Sequence, residues 1–183
     1  VAINSATSGL HLGCLALGLK KNDYLWTVPN SFVASANCGL YCDANIDFVD
    51  IDNNTWNIDV NLLSQKLRKT KKNKLPKILV VVHFAGEPAN TDKIYRLSKK
   101  YKFKIIEDAS HALGSRLNKN KIGDCKFSNL TVFSFHPVKP ITTGEGGAVC
   151  TNMTKLKKII ESLRDWGRDC YCPPGEDNTC KKR

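Results

Sequence analysis

Apolar residues recur along the chain in two rhythms. Between residues 7 and 19 the spacing Leu10, Cys14, Leu17 marks one face of a helix, with Thr7 or Ser5 placed to cap its start. Tyr24-Leu-Trp-Thr-Val28 is a short strand that stops at Pro29. Residues 31–42 read as a helix, 46–51 as a strand, and Leu62, Leu63 and Leu67 mark the next helix. Lys77-Ile-Leu-Val-Val-Val-His83 is almost continuously apolar, the pattern of a strand covered on both faces. Helix 90–101, strands 103–107, 130–135 and 146–151, and helix 153–164 complete the series. Strands alternating with helices predict an α/β fold: a three-layer, mainly parallel sheet with helices on both faces. Residues 1–165 form one domain in this reading, and 166–183 form an irregular, Cys-rich tail. Neither an internal repeat nor a low-complexity linker interrupts the chain.

At 183 residues and 42% hydrophobic, the chain is long enough for one ordinary core, and its composition excludes a disordered or fibrous protein. The longest apolar runs fall far short of the roughly 18–20 residues of a membrane span, so no membrane partner is expected. Val1-Ala2-Ile3-Asn4 has no signal-peptide shape and no initiator Met precedes it, so the chain is expected to begin partway through a gene product. The net charge of +11 comes from residues 66–104, which hold thirteen Lys and Arg against Glu87 and Asp92. This stretch reads as a solvated basic face of amphipathic helices; a nucleic-acid-binding module is the alternative, and no recognition motif accompanies it. Of eight cysteines, Cys14, Cys38, Cys42, Cys125 and Cys150 stand singly in apolar or mixed segments, as reduced thiols in a cytoplasmic protein would.

Ligands in doubly wound sheets bind beyond the carboxyl ends of the strands. Here those ends carry Glu107-Asp108, then Ser134 and His136 with Lys139 close behind. Asn4-Ser-Ala-Thr-Ser8 opens the first helix, where unpaired amides favour a phosphate. Three of these positions together suit pyridoxal 5'-phosphate. Its aldehyde needs a Lys amine for a Schiff base, its pyridine nitrogen needs a carboxylate, and its phosphate needs N–H and hydroxyl donors. Each also has a plainer reading: an exposed loop Lys, a strand-end Asp capping a turn, a Ser/Thr helix cap.

The wording of the motifs goes further. Glu107-Asp-Ala-Ser-His-Ala-Leu-Gly-Ser115, Phe133-Ser-Phe-His-Pro-Val-Lys-Pro-Ile-Thr-Thr-Gly-Glu-Gly-Gly147 and Asn4–Ser8 resemble the DegT/DnrJ/EryC1/StrS family of sugar aminotransferases, from Asn4 to Arg168. The resemblance implies the large domain of the aspartate-aminotransferase fold (fold type I), cut short at both ends. It implies transfer of an amino group from L-glutamate to a nucleotide-linked 4-keto-6-deoxy sugar, in surface polysaccharide or nonulosonic acid biosynthesis. At matching positions it implies that Lys139 holds the cofactor covalently and shuttles the proton, and that Asp108 pairs with the ring nitrogen. His111 would lie near the ring, Ser134 and the Ala6–Thr7 turn would bind the phosphate, and Phe32 would stack as a lid. The plainer reading of Phe32 is core packing; His136 has a weaker case, and so does His83, which also reads as a satisfied core residue. A homodimer is implied for the full-length protein, with the active site between subunits, so this stretch alone is expected to be inactive.

The tail resembles a different branch, the 3-dehydrases acting on CDP-4-keto-6-deoxyglucose, which use pyridoxamine phosphate and a [2Fe–2S] cluster. Cys170-x-Cys172-x7-Cys180 matches three of that branch's four ligands. Ser110 stands where the fourth Cys would be, and Lys139 stands where those enzymes carry His. Four thiolates are the usual need of such a cluster; three thiols are also compatible with a structural or zinc-binding role. No metal ligand set is assigned.

Overall fold

A computed structural model describes residues 1–168 and Cys172. In chain order the elements are β1 (Ala2–Ile3), α1 (Ala6–Ala16), β2 (Tyr24–Thr27), α2 (Ala34–Leu40), β3 (Asn45–Phe48), α3 (Val60–Lys69), β4 (Ile78–Val82), α4 (Thr91–Tyr101), β5 (Lys104–Asp108), β6 (Arg116–Leu117), β7 (Asn120–Lys121), β8 (Leu130–Ser134), β9 (Gly147–Cys150) and α5 (Thr154–Arg164). Seven strands form one sheet in the order β1-β9-β8-β5-β4-β2-β3, and β6 pairs with β7 alone. The run from β3 to β8 is parallel; β9 is antiparallel to β8, and β1 to β9.

Alternation within β4 shows why the sheet is covered twice. Ile78 and Val80 point into a core with Leu10 and Cys14 of α1, Cys38 of α2 and Ile160 of α5. Leu79 and Val81 point the other way, into a core with Trp26, Leu63 and Leu67 of α3, and Ile94 of α4. This is the three-layer α/β architecture that the periodicity predicts. The exposed side chains Lys93, Arg96, Lys99 and Lys100 lie on the outer face of α4, and Arg68 and Lys69 on that of α3. Asp59 caps α3 by accepting from the amides of Asn61 and Leu62 at 2.6 and 3.0 Å. Among the described residues no helix is long and apolar enough to cross a membrane.

Some boundaries differ from the sequence reading. The helix expected from residue 31 begins at Ala34, because the amides of Ser35 and Ala36 first close tight turns onto Phe32 and Val33. β3 ends at Phe48, short of 51; the chain then enters a turn in which Asp52 Oδ1 collects the amides of Asn54 and Thr55. Ser5, not Thr7, caps α1, its hydroxyl accepting from Ser8 N at 3.2 Å. β1 and the β6–β7 hairpin were absent from the reading: pairs of residues are too short for any rhythm, and the hairpin is polar.

Candidate active site

A cavity of about 760 Å³ opens where four parallel strands end. β2 leads into Asn30, Ser31 and Phe32, β4 into His83 and Phe84, β5 into Asp108 and His111, and β8 into Ser134 and Lys139, all on its wall. Ala6 and Thr7 of α1 close another side. The seven side chains singled out in the sequence (Ala6, Thr7, Phe32, Asp108, His111, Ser134 and Lys139) therefore line one cavity. The crossovers explain the location. The connection from β2 to β3 runs over the α2 face, and that from β4 to β5 over the α4 face, so the loops part above the sheet and leave a crevice.

Asp108 is 6% exposed, at the last position of β5. Its Oδ2 accepts from Ser35 Oγ at 2.7 Å, and its Oδ1 from Ser110 Oγ at 2.6 Å and Ser110 N at 3.2 Å. All three donors are neutral, and no salt bridge reaches this carboxylate among the described residues. A buried carboxylate held this way on a cavity wall suits a cationic partner in the cavity.

Lys139 follows β8 in a turn whose amide donates to His136 O at 2.9 Å. Its Nζ lies 2.7 Å from His111 Nε2. Burial, and then the neighbouring Lys139 charge, hold His111 below its usual 6.5, outweighing the opposite pull of Asp108. The ring is thus neutral near pH 7, its Nε2 accepting from the Lys amine and its proton on Nδ1.

The mouth of α1 is built by close packing. The first-turn amides of Ala6 and Thr7 have no carbonyl one turn back within the helix to receive them. Gly147 of β9 passes directly beneath: a Cβ there would stand 3.0 Å from Ala6 N and 2.7 Å from Phe133 O. On the same wall, Ser134 Oγ accepts from His136 N at 3.4 Å. Phe32 stands 73% exposed at the rim, so core packing is excluded as its role.

His83 is a satisfied buried residue. Ala89 N donates to Nδ1 at 3.1 Å, which leaves Nε2–H to face Glu107 Oε2 at 3.3 Å. His136 is half exposed, 3.7 Å from Glu145. The sequence reading missed Ser35 and Ser31 as polar partners. Their only signal was two serines four apart at a helix start, which is equally the mark of a simple cap. Of the tail thiols, Cys172 is among the described residues, and Cys170 and Cys180 lie outside them.

The model of the DegT/DnrJ/EryC1/StrS aminotransferase family matches residues 1–178. The chain belongs to this family. The UDP-4-amino-4,6-dideoxy-N-acetyl-beta-L-altrosamine transaminase of Campylobacter jejuni is 46% identical over 165 residues, covering 90% of this chain and 42% of the relative. Lipopolysaccharide biosynthesis protein RfbH of Salmonella typhimurium is 40% identical over 190 residues, covering 98% and 42%. Among solved structures, Helicobacter pylori PseC, an aminotransferase involved in the biosynthesis of pseudoaminic acid, superposes with a TM-score of 0.80 at 34% identity, over 92% of this chain and 44% of PseC. The chain spans about two-fifths of the length of the curated DegT-family relatives it matches.

Proposed function

We propose that this chain is the cofactor-holding part of a pyridoxal-phosphate-dependent sugar aminotransferase, which moves an amino group from L-glutamate to a nucleotide-linked 4-keto-6-deoxy sugar. The pathway would be surface polysaccharide or nonulosonic acid biosynthesis, in a cytoplasmic homodimer of the full-length protein. One observation carries the reading: an amine (Lys139), a buried carboxylate without a cationic partner among the described residues (Asp108) and free helix amides (Ala6, Thr7) converge on one cavity. That donor set fits an aldehyde, a pyridine nitrogen and a phosphate respectively.

The bound cofactor would supply an aldehyde carbon that links to amines and a ring that takes up the electron pair released when a C–H bond next to nitrogen breaks. The protein does the rest. The amides of Ala6 and Thr7, with the Ser134 hydroxyl, hold the phosphate at the positive end of α1. Asp108 keeps the ring nitrogen positively charged, Phe32 covers the ring from the rim, and His111 flanks it. Lys139 Nζ would take the proton from the amino donor's α-carbon and return it two atoms further on, at the carbon that was the cofactor's aldehyde, then run the same transfer in reverse for the keto sugar. Neutral His111 accepts a hydrogen bond from that amine without adding a second positive charge.

Full-length protein loaded with pyridoxal phosphate and given L-glutamate should release 2-oxoglutarate in one equivalent per site before any sugar is added. No release with glutamate or any other amino acid would refute the reading. The spacing Cys170-x-Cys172-x7-Cys180 favours a second reading, a 3-dehydrase using pyridoxamine phosphate and an iron–sulfur cluster. Stoichiometric iron and sulfide in anaerobically purified protein would select it.

A further inference from the structure

Residues 30–35 do more than carry Phe32 to the rim. Ser35 is fully buried, and its Oγ donates to Asp108 Oδ2 at 2.7 Å. A serine hydroxyl has one proton, so the second contact of that oxygen, with Ser31 Oγ at 2.8 Å, must be an acceptance. The direction is therefore fixed: Ser31 donates to Ser35, and Ser35 donates to Asp108. On the other side of the carboxylate, Ser110 occupies Oδ1 with both its hydroxyl and its amide. Asn30 anchors the near end of the segment, its Nδ2 donating to Trp56 O at 2.9 Å.

We propose that Ser35 and Ser31 are positioning residues for Asp108: their one-way chain of hydroxyls sets the orientation of the carboxylate towards the cavity and locks it to the loop that presents Phe32. A carboxylate at the end of a strand is free to turn about χ2 unless both oxygens are held, and Ser110 holds only one. Ser35 supplies the second hold, and Ser31 strengthens it, because a hydroxyl that accepts a hydrogen bond is a better donor. The chain also makes the two groups that would contact the cofactor ring, Asp108 at its nitrogen and Phe32 on its face, parts of one connected unit. This inference rests on the cavity being a pyridoxal phosphate site.

The test uses full-length protein with Ser35→Ala, Ser35→Thr and Ser31→Ala. In cofactor-free protein labelled with 13C at aspartate carboxyls, the Asp108 resonance should move in Ser35→Ala, move less in Ser31→Ala, and stay near its original place in Ser35→Thr, which keeps the hydroxyl. In loaded protein, Ser35→Ala should shift the pH midpoint of the cofactor's absorption band and lower kcat for the glutamate half-reaction about tenfold, the loss expected for one hydrogen bond to a charged group. KM for glutamate should change less than about twofold, since Asp108 does not touch the amino donor. Ser31 is half-buried, so its variant keeps the test open should Ser35→Ala fold poorly. An unmoved Asp108 resonance in both alanine variants, or an unmoved absorption midpoint and kcat, would overturn the proposal. A wild-type protein that takes no borohydride label at Lys139 would overturn the cofactor reading instead, and the carbon resonance, measured without cofactor, separates the two failures.

Discussion

Lys139 and His111 stand 2.7 Å apart, and that contact makes a pH prediction. The folded protein holds His111 below 6.5, so in the acid range the unfolded chain binds the extra proton more readily. The stability this contributes is present above about pH 6.5 and is lost as pH falls through the lowered native value. Denaturant midpoints measured from about pH 7.5 down to 5 should therefore fall less steeply in His111→Asn than in the unaltered protein. An unchanged slope would mean that burial and the Lys139 charge do not lower His111 in the folded protein. At Asp108 the substitution to Asn keeps the shape and loses the charge. The variant should still take up the cofactor on Lys139 and lose most of its turnover; near-normal transamination would leave Asp108 only a capping role, which Asn fills about as well. Both side chains were legible in the sequence because strand-end chemistry has a fixed address in this architecture. Ser35 was not, because its role depends on one hydrogen bond from α2 to the end of β5, between residues 73 apart in sequence.

At the scale of elements, the site depends on how closely α1 lies on the sheet. Gly9 and Gly13 face Val132 and Leu130, and Gly147 passes under the α1 N-terminus. Gly147→Ala places a methyl group 2.7 Å from a backbone carbonyl and 3.0 Å from a backbone amide, neither of which can rotate away. It should cost about 1–3 kcal/mol by thermal or denaturant unfolding and weaken phosphate-ester binding as well. A variant with unchanged stability and cofactor affinity would mean that β9 does not shape the phosphate end. Strands β4, β5 and β8 and helices α3 and α4 were readable from periodicity, since each buries a face or both. The start of α2, the end of β3 and the β6–β7 hairpin were not, because side-chain caps and turns decide them, and polar residues leave no apolar rhythm.

At the scale of the whole molecule, four of the six described cysteines, Cys14, Cys38, Cys42 and Cys125, are buried. Burial pushes the thiols of Cys42 and Cys125 up to about 11, and Cys14 well above its usual value, its hydrogen bond with Cys38 being the larger cause there. At pH near 7.5 these three should react with a thiol reagent only after denaturant is added. Rapid labelling of Cys14 or Cys42 in the native protein would contradict the packing of α1 against α2, and that of Cys125 would contradict its burial beside β8 and β9. The basic side chains of α3 and α4 lie on the opposite layer from α1 and α2, facing outward, so the charge that dominates the composition stands apart from the loops that build the cavity. The central claim is that the cavity holds pyridoxal phosphate on Lys139. Borohydride reduction of the loaded full-length protein, followed by peptide mapping, tests it most directly. A single stable adduct is expected on the peptide containing Lys139, absent in Lys139→Ala; an adduct on any other lysine, or none in the unaltered protein, would rule out this site for the cofactor.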